Sequence, residues 1–301
     1  MLSEDLREEL AAIAPERECD RLAELSGLFH VAGSAHLRGR GNVGVHLDLA
    51  SSGGARRAFT LLRGCEVESE IRTYRQPAFA RATRYQLYVE GSPQAYAVLH
   101  RAGVLDAARR PLDHPPRRVV ARRCCAGAYL RGALLGGGTL SGPRDAHLEI
   151  RCAEPEGARF LAALARRLGV ELRVHARPRH AVAYAKGTEA IADVLVAAGA
   201  ADVVLALEEE AVLAATRADA NRLANADHAN LVRMSRAAHA QLEAVRKLDL
   251  DALPDELREI ATLRLRHPTA SIAELGRRCK PAASKSTAYR RLRRLQALSD
   301  R

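Results

Sequence analysis

A group of cationic side chains lies near the end of this 301-residue chain. Between Gly276 and Gln296 the sequence has eight lysines and arginines and no aspartate or glutamate. This density of positive charge attracts polyanions, because each phosphate that a cation neutralises releases condensed counterions. The net charge is +11, and residues 255–301, with 12 Lys/Arg and 5 Asp/Glu, carry +7 of it. A charge run more often marks a solvated helix face, so the local structure has to decide between the two interpretations.

The pattern around the basic segment predicts three short helices. The first begins after Pro254 and ends before Pro268. Its apolar positions keep helical spacing: Leu257, Ile260, Ala261 and Leu265. A capping box from Ser271 to Glu274 begins the second helix, and Ser284 can cap the third after a break. This order indicates a helix-turn-helix, in which the first turns of the last helix meet base edges and later basic residues hold phosphates.

The predicted DNA contacts are residues expected to be exposed. They lie at the end of the second helix, in the break and on the third helix. They are Arg277, Arg278, Lys280, Ser284, Lys285, Ser286, Thr287, Tyr289, Arg290, Arg293 and Arg294. Double-stranded DNA is therefore the predicted partner, and another transcription regulator is a candidate second partner. A basic three-helix cap or a helical protein-interaction module are the alternatives.

The rest of the chain contains the same sequence pattern twice, about 100 residues apart. Residues 25–33 align with 130–138, and both segments are rich in small residues. The agreement continues between residues 91–103 and 187–199. A repeat of this length indicates one pseudo-symmetric domain made by duplication.

Each copy gives a coarse α-β-β-α-β-β-α pattern. In the first copy the predicted helices lie near 16–32, 55–65 and 93–102, and the predicted strands near 43–50, 66–74 and 84–90. In the second copy the predicted helices lie near 119–136, 154–168 and 189–198, and the predicted strands near 147–152, 170–176 and 181–186. The proline-rich stretch 105–118 is the natural connection between the copies.

Composition excludes several classes of protein and site. No stretch approaches the ~20 consecutive apolar residues that span a bilayer, and the acidic amino terminus does not have the order of a signal peptide. A cytoplasmic, nucleoid-associated protein without membrane contact is expected. The six cysteines include no C-x-x-C and no His/Cys cluster at zinc spacing, which predicts reduced structural thiols, no bound metal and no cofactor. The adjacent Cys124 and Cys125 are interpreted as small buried helix residues rather than as a redox device.

The two nine-residue motifs resemble those of the LAGLIDADG homing-endonuclease fold. The resemblance implies that two motif helices pack along a pseudo-twofold axis, where small residues let the backbones approach closely, and that two sheets straddle DNA. The nucleases need an acid at the eighth motif position of each half to hold divalent metals. This sequence has Ala32 and Gly137 there, and His30 and Leu135 at the sixth positions. The resemblance therefore predicts a domain without catalytic or metal-binding residues.

A nuclease-like repeat without its acids, followed by a helix-turn-helix, is similar to the WhiA family of bacterial regulators. The most specific segments are YLRGALL (129–135), ANRLANADHANL (220–231) and LPDELR (253–258). The resemblance implies a sequence-specific DNA-binding transcriptional regulator, not an enzyme, that acts in cell division, chromosome segregation and sporulation.

Two other functions are weighed against this one. An active endonuclease would need replacement ligands, and Asp48 and Glu149 are the candidates because they occupy matching places next to His46 and His147. Alternation of this kind is also what an amphipathic strand with one buried face looks like. A scaffold that does not bind DNA is the third hypothesis, and the basic tail argues against it.

The predicted fold class is α+β, with a duplicated LAGLIDADG-like αββαββα domain followed by an all-α helix-turn-helix domain. The predicted divisions are a first half (1–110), a second half (111–205), a helical linker (206–254) and the helix-turn-helix domain (255–301).

Overall fold

The computed structural model describes residues 2–37, 43–75, 82–142 and 145–300. The chain forms two compact units, the first ending at Ala214 and the second beginning at Ala215. The finer divisions at residues 110, 205 and 254 stay predictions. Among the described residues, no helix combines the length and the apolar character that crossing a membrane requires.

The first unit contains the two repeats in sequence. It begins with helix α1 (Leu2–Ala12), which the sequence pattern does not predict although Leu2, Leu6 and Leu10 recur every four residues and are buried. The first repeat follows as α2 (Glu18–Ala32), β1 (Gly33–Leu37), β2 (Val43–Leu49), α3 (Ser52–Arg63), β3 (Ser69–Arg75), β4 (Thr83–Val89) and α4 (Pro93–Arg101).

The second repeat has the same order of elements. After a short 3-10 turn at Arg117–Val120 it consists of α5 (Arg123–Gly137), β5 (Gly138–Ser141), β6 (His147–Cys152), α6 (Pro155–Leu168), β7 (Arg173–Arg177), β8 (His180–Lys186) and α7 (Thr188–Ala198). Both repeats are αββαββα, so the predicted fold class is confirmed. The long helix α8 (Ala201–Arg246) then contains the division between the two units.

Each repeat forms one four-stranded antiparallel sheet, with the strand orders β1-β2-β4-β3 and β5-β6-β8-β7. Residues along β2 and β6 alternate between the core and the opposite face, because successive side chains of a strand point to opposite sides. Leu47 and Leu148 are fully buried, whereas Asp48 and Glu149 lie on the other face. This alternation is the amphipathic strand pattern that the sequence suggested at both places.

The two motif helices, α2 and α5, pack directly against each other through glycine. A Cβ atom at Gly27 would collide with the carbonyl oxygen of Tyr129, and one at Gly132 would collide with the carbonyl oxygen of Glu24. Since the alignment of the repeats pairs Gly27 with Gly132, the two contacts are equivalent. The close backbone approach implied by the resemblance is present at these two positions.

The second unit contains α8 from Ala215 onward and three short helices, α9 (Asp255–Arg266), α10 (Ile272–Arg278) and α11 (Lys285–Ser299). Its capping agrees with the sequence prediction: Ser271 and Glu274 form a complete capping box on α10, and the Ser284 hydroxyl accepts a hydrogen bond from the backbone of Thr287. The core of the unit consists of Val245, Leu253, Leu257, Ile260, Ala261, Leu275, Cys279, Ala288, Leu292 and Leu295.

Candidate nucleic-acid interface

Helix α11 has one buried side and one exposed side. Ala288, Leu292 and Leu295 are buried at helical spacing, which turns the intervening residues toward solvent. Ten of the eleven predicted DNA contacts are exposed, and Thr287 is half-buried. Tyr289 keeps 50% of its surface exposed. The structure therefore brings the predicted residues to the surface along α11 and the turn before it.

The hydroxyl groups at the start of α11 hold the helix terminus. Ser284 Oγ lies 3.0 Å from Thr287 Oγ1 and 2.9 Å from Ser286 Oγ, and it accepts the Thr287 N–H at 3.2 Å. Ser284 and Thr287 thus have a structural role as helix cap in addition to the predicted contact. An N-cap of this kind contributes about 1 kcal/mol to helix stability.

Most of the exposed cations have no acidic neighbour. Within the part of the chain that the structure describes, Arg277, Lys285, Arg290, Arg293 and Arg294 form no ion pair. The exposed side of α11 is consequently a concentration of uncompensated positive charge, which is what attraction to a phosphate backbone requires.

Two of the basic residues near this surface have partners inside the unit. Arg291 is ion-paired with Glu256 at 2.9 Å and only 18% of its side chain is exposed, so it fastens α11 to α9. Arg278 Nη1 lies 2.9 Å from His267 Nε2. Arg291 is therefore a structural residue, in contrast to the cations that face solvent.

The turn between α10 and α11 is fixed by a close backbone contact. The Ala283 N–H donates a hydrogen bond of 2.8 Å to the Gly276 carbonyl oxygen. A Cβ atom at Gly276 would lie 2.5 Å from the Ala283 oxygen, so only glycine fits without displacing the turn. This contact sets the position from which α11 leaves α10.

Arg264 is a buried structural residue that the sequence analysis missed. It is 1% exposed, and its guanidinium donates to Gln241 Oε1 at 2.8 Å and to the Ala270 carbonyl at 2.7 Å. Desolvation by burial lowers the pKa of Arg264 from its ordinary value. Leu265, one of the apolar positions that keep helical spacing in the sequence, is instead 37% exposed. The buried side of α9 therefore includes Arg264 in addition to its apolar residues. The five N–H donors of the guanidinium can satisfy the carbonyls of the following turn.

In the first unit, the end of α5 has no room for an acid at Gly137, the eighth motif position of the second repeat. A Cβ atom at Gly137 would lie 2.5 Å from Val31 Cγ1 and 2.9 Å from the Arg151 carbonyl oxygen. His30 Nδ1 lies 2.8 Å from the Ser26 carbonyl oxygen, and burial lowers the pKa of His30 to about 4. The sixth position thus holds an imidazole that is neutral near pH 7.

The two acids considered as replacement ligands already have hydrogen-bond or ion-pair partners on their own sheets. Asp48 accepts hydrogen bonds from Tyr74 Oη at 2.5 Å and from Arg84 Nε at 3.0 Å. Glu149 lies 3.3 Å from Arg177 Nη2 and 3.3 Å from His147 Nε2. Their oxygens are engaged by cationic or hydroxyl donors, and each belongs to a different sheet.

Three family models match consecutive parts of the chain: the WhiA N-terminal LAGLIDADG-like domain at residues 18–105, the WhiA LAGLIDADG-like domain at 126–217 and the WhiA C-terminal HTH domain at 220–299. The chain belongs to the WhiA family. The HTH match includes all eleven predicted DNA contacts and begins within α8, so the WhiA module is longer than the three short helices.

Relatives and solved structures agree with this assignment to the WhiA family. The chain is 34% identical to the "Probable cell division protein WhiA" of Heliobacterium modesticaldum, over 99% of this chain and 95% of that protein. Its identity to the protein of the same name from Acidothermus cellulolyticus is 36%, over 100% of this chain and 94% of that protein.

The crystal structure of full-length DUF199/WhiA from Thermotoga maritima matches with a TM-score of 0.57 and 22% identity, covering 99% of this chain and 97% of that one. A crystal structure of the N-terminal LAGLIDADG domain of DUF199/WhiA matches with a TM-score of 0.52 and 19% identity, over 66% of this chain and 90% of that chain. These likenesses identify the fold as that of WhiA.

Proposed function

We propose that the chain is a sequence-specific DNA-binding transcriptional regulator in which α11 enters the major groove. The observation that carries the proposal is the solvent-facing side of α11, where Lys285, Arg290, Arg293 and Arg294 form no ion pair with any described residue. In a helix-turn-helix the amino-terminal residues of the last helix contact base edges. Lys285 and Arg290 therefore read bases, and Arg293 and Arg294 hold phosphates.

The duplicated domain is proposed to have no nuclease activity. The crowding around Gly137 and the neutral imidazole of His30 support this part of the proposal, because phosphodiester cleavage by two metals depends on carboxylates that hold both ions. The domain instead supports assembly, makes auxiliary contact with DNA or binds a partner, for which another transcription regulator is the candidate.

The relatives carry the name "Probable cell division protein WhiA". The process proposed for this chain is accordingly control of genes for cell division, chromosome segregation and sporulation, exercised at the nucleoid.

The proposal is tested by selecting bound sequences from random double-stranded DNA with the full-length protein. We expect one enriched motif for the wild type and none for the triple variant Lys285→Ala/Arg290→Ala/Arg293→Ala. The matched control instead removes three exposed cations outside α11, two on α8 and one just after its end, as Arg217→Ala/Arg236→Ala/Lys247→Ala. Both variants lose the same charge, so a motif that survives only in the control assigns recognition to α11.

A motif that survives in the α11 variant would overturn the assignment of the recognition helix. Absence of any enriched motif with the wild-type protein would overturn sequence-specific binding itself. Circular dichroism of all three proteins verifies that the helices are intact.

A further inference from the structure

Three thiols and a carboxylate meet at the beginning of the two motif helices. Cys19 and Asp20 belong to the first turn of α2, and Cys124 and Cys125 belong to the first turn of α5. One ligand atom from each of the four residues lies within 4.8 Å of the other three. The repeat alignment that pairs residue 25 with residue 130 also pairs Cys19 with Cys124, so each repeat contributes the same pair of positions.

We propose that Cys19, Asp20, Cys124 and Cys125 form a structural zinc site that joins the two repeats. The separations fit a tetrahedral ion. With Zn–S bonds of about 2.3 Å and a Zn–O bond of about 2.0 Å, tetrahedral angles put two sulfurs about 3.8 Å apart and a sulfur and an oxygen about 3.5 Å apart. Cys124 Sγ lies 3.9 Å from Cys125 Sγ, and Cys19 Sγ lies 3.6 Å from Asp20 Oδ1.

The chemistry of the donors selects the class of metal. Three sulfurs suit zinc and other thiophilic ions, whereas Mg²⁺ and Ca²⁺ prefer oxygen ligands. Four protein ligands complete a tetrahedral shell and leave no open position for substrate or activated water. The site is therefore structural and does not restore the chemistry of the nuclease pattern.

One cationic side chain lies beside the four ligands. Arg17 Nη1 lies 3.9 Å from Cys124 Sγ. Both helices begin beside the ligands, with Arg17 and Arg122 as N-cap residues that make no side-chain cap hydrogen bond. The positive ends of two helix dipoles thus lie near the sulfurs.

Two of the four ligands are accessible to an ion from a surface groove. Asp20 and Cys124 line a surface groove with a volume of about 600 Å³, while Cys125 is buried at 3% exposure. An ion entering through the groove would meet two ligands first and then reach the buried one. Access of this kind is required of any metal site that is loaded after folding.

The site is distinct from the place where the nuclease pattern has its metals. Thirteen residues separate Cys19 from Ala32 along α2, which corresponds to about 20 Å at the rise of an α-helix. Zinc would connect the repeats at one end of the helix pair, at the opposite end from Ala32 and Gly137. The inference depends only on the first unit and not on the proposed DNA binding.

The experiment uses the full-length protein, reduced and stripped of metal, and titrates it with Co²⁺. We expect one Co²⁺ per chain, with thiolate-to-cobalt charge-transfer absorption and the intense d–d bands of a tetrahedral site, and displacement of the spectrum by Zn²⁺. Cys19→Ser and Cys124→Ser should each weaken Co²⁺ binding at least about tenfold, since loss of a supporting outer-shell group alone costs roughly 10–100-fold. Asp20→Asn, which changes no sulfur, should weaken binding while leaving the charge-transfer band.

Cys65→Ser is the matched control, because Cys65 is a half-buried thiol of the first repeat outside the group of four. Its cobalt spectrum should equal that of the wild type. The proposal is wrong if the wild-type protein gives no tetrahedral thiolate spectrum, or if Cys65→Ser loses the spectrum as Cys19→Ser does. Mass spectrometry after alkylation supplies a further check: a disulfide among Cys19, Cys124 and Cys125 in protein taken directly from cells would also overturn it.

Discussion

Glu24 and Arg131 form an ion pair that crosses from one repeat to the other inside the core. Glu24 Oε2 lies 2.9 Å from Arg131 Nε, and the Glu24 side chain has no exposed surface. Arg57 of the first repeat donates to the other carboxylate oxygen at 2.6 Å. One buried carboxylate therefore holds two guanidinium groups, one from each repeat.

Removal of this carboxylate should destabilise the first unit strongly. Glu24→Ala leaves Arg57 and Arg131 buried without a counter-charge, and breaking a buried pair in this way costs about 3–5 kcal/mol. Hydrogen exchange of the α2 and α5 amides in the full chain measures the loss. Glu18→Ala, which breaks an exposed ion pair with Arg101, should change the exchange by no more than about 1 kcal/mol. Equal effects of the two substitutions would contradict the structural role of Glu24.

Two glycines of the first unit should respond differently to substitution by alanine. Gly27→Ala forces a methyl group into the Tyr129 carbonyl and should destabilise the unit by about 1–3 kcal/mol. Gly53 lies in the first turn of α3, where an added Cβ would be 3.5 Å from the Ala11 Cβ. Gly53→Ala should therefore be neutral or stabilise by up to about 1 kcal/mol. The thermal midpoints of both variants test the pair, and a neutral Gly27→Ala would refute the close helix contact.

Substitutions on α11 should separate base reading from phosphate binding. Lys285→Ala and Arg290→Ala should each cost about 1–3 kcal/mol on the selected site and relax its sequence preference. Arg293→Ala and Arg294→Ala should weaken binding to all sequences and flatten the dependence of affinity on salt. Fluorescence anisotropy with specific and random duplexes over a salt series measures both effects. If all four variants lose equally on both duplexes, the helix does not face the groove as proposed.

The first unit should lose stability in mild acid through His30. Its pKa is about 4 in the folded protein against an ordinary value of 6.5, so the unfolded chain binds the proton more readily. The stability contributed by the neutral imidazole is fully present above pH 6.5. It is lost as the pH falls from 6.5 toward 4, and the loss is about 2 kcal/mol near pH 5. His30→Gln has no such proton, and its free energy of unfolding should fall less than that of the wild type between about pH 7.5 and 5. Parallel pH profiles for the two proteins would show that His30 does not contribute.

Supercoiled plasmid carrying the selected site should remain uncut with Mg²⁺ or Mn²⁺. The expectation follows from the crowded Gly137 position and from the ion pairs of Asp48 and Glu149. The double variant Asp48→Asn/Glu149→Gln should bind DNA about as well as the wild type. Nicking that disappears in the double variant would instead make these acids catalytic and revive the endonuclease hypothesis.

Local chemistry was enough to predict many element boundaries. Ser271 with Glu274, and Ser284 before α11, are caps whose hydrogen bonds are made within one helical turn, so the sequence contains all the information that they need. Three helices and three strands of each repeat were likewise predictable, because the alternation of buried and exposed residues and the repeat of small residues are both properties of the linear sequence.

Elements that depend on distant partners were not predictable in the same way. Strands β1 and β5 begin with Gly33 and Gly138, which have low intrinsic strand preference, and they exist because β2 and β6 pair with them. Arg264 occupies a core position because carbonyls of a later turn and Gln241 surround it. The cluster of three cysteines and Asp20 at the start of the motif helices contains residues about 100 positions apart. No rule on cysteine spacing could therefore have found it.

The division of α11 into a buried and an exposed side has a consequence for how the proposed regulator can diverge. Ala288, Leu292 and Leu295 keep the helix in place, whereas Lys285, Tyr289, Arg290 and Arg293 contribute almost nothing to that core. Exposed positions of this kind usually tolerate substitution within about 0.5 kcal/mol. New target sites can therefore arise by mutation of the exposed side while the fold is inherited unchanged.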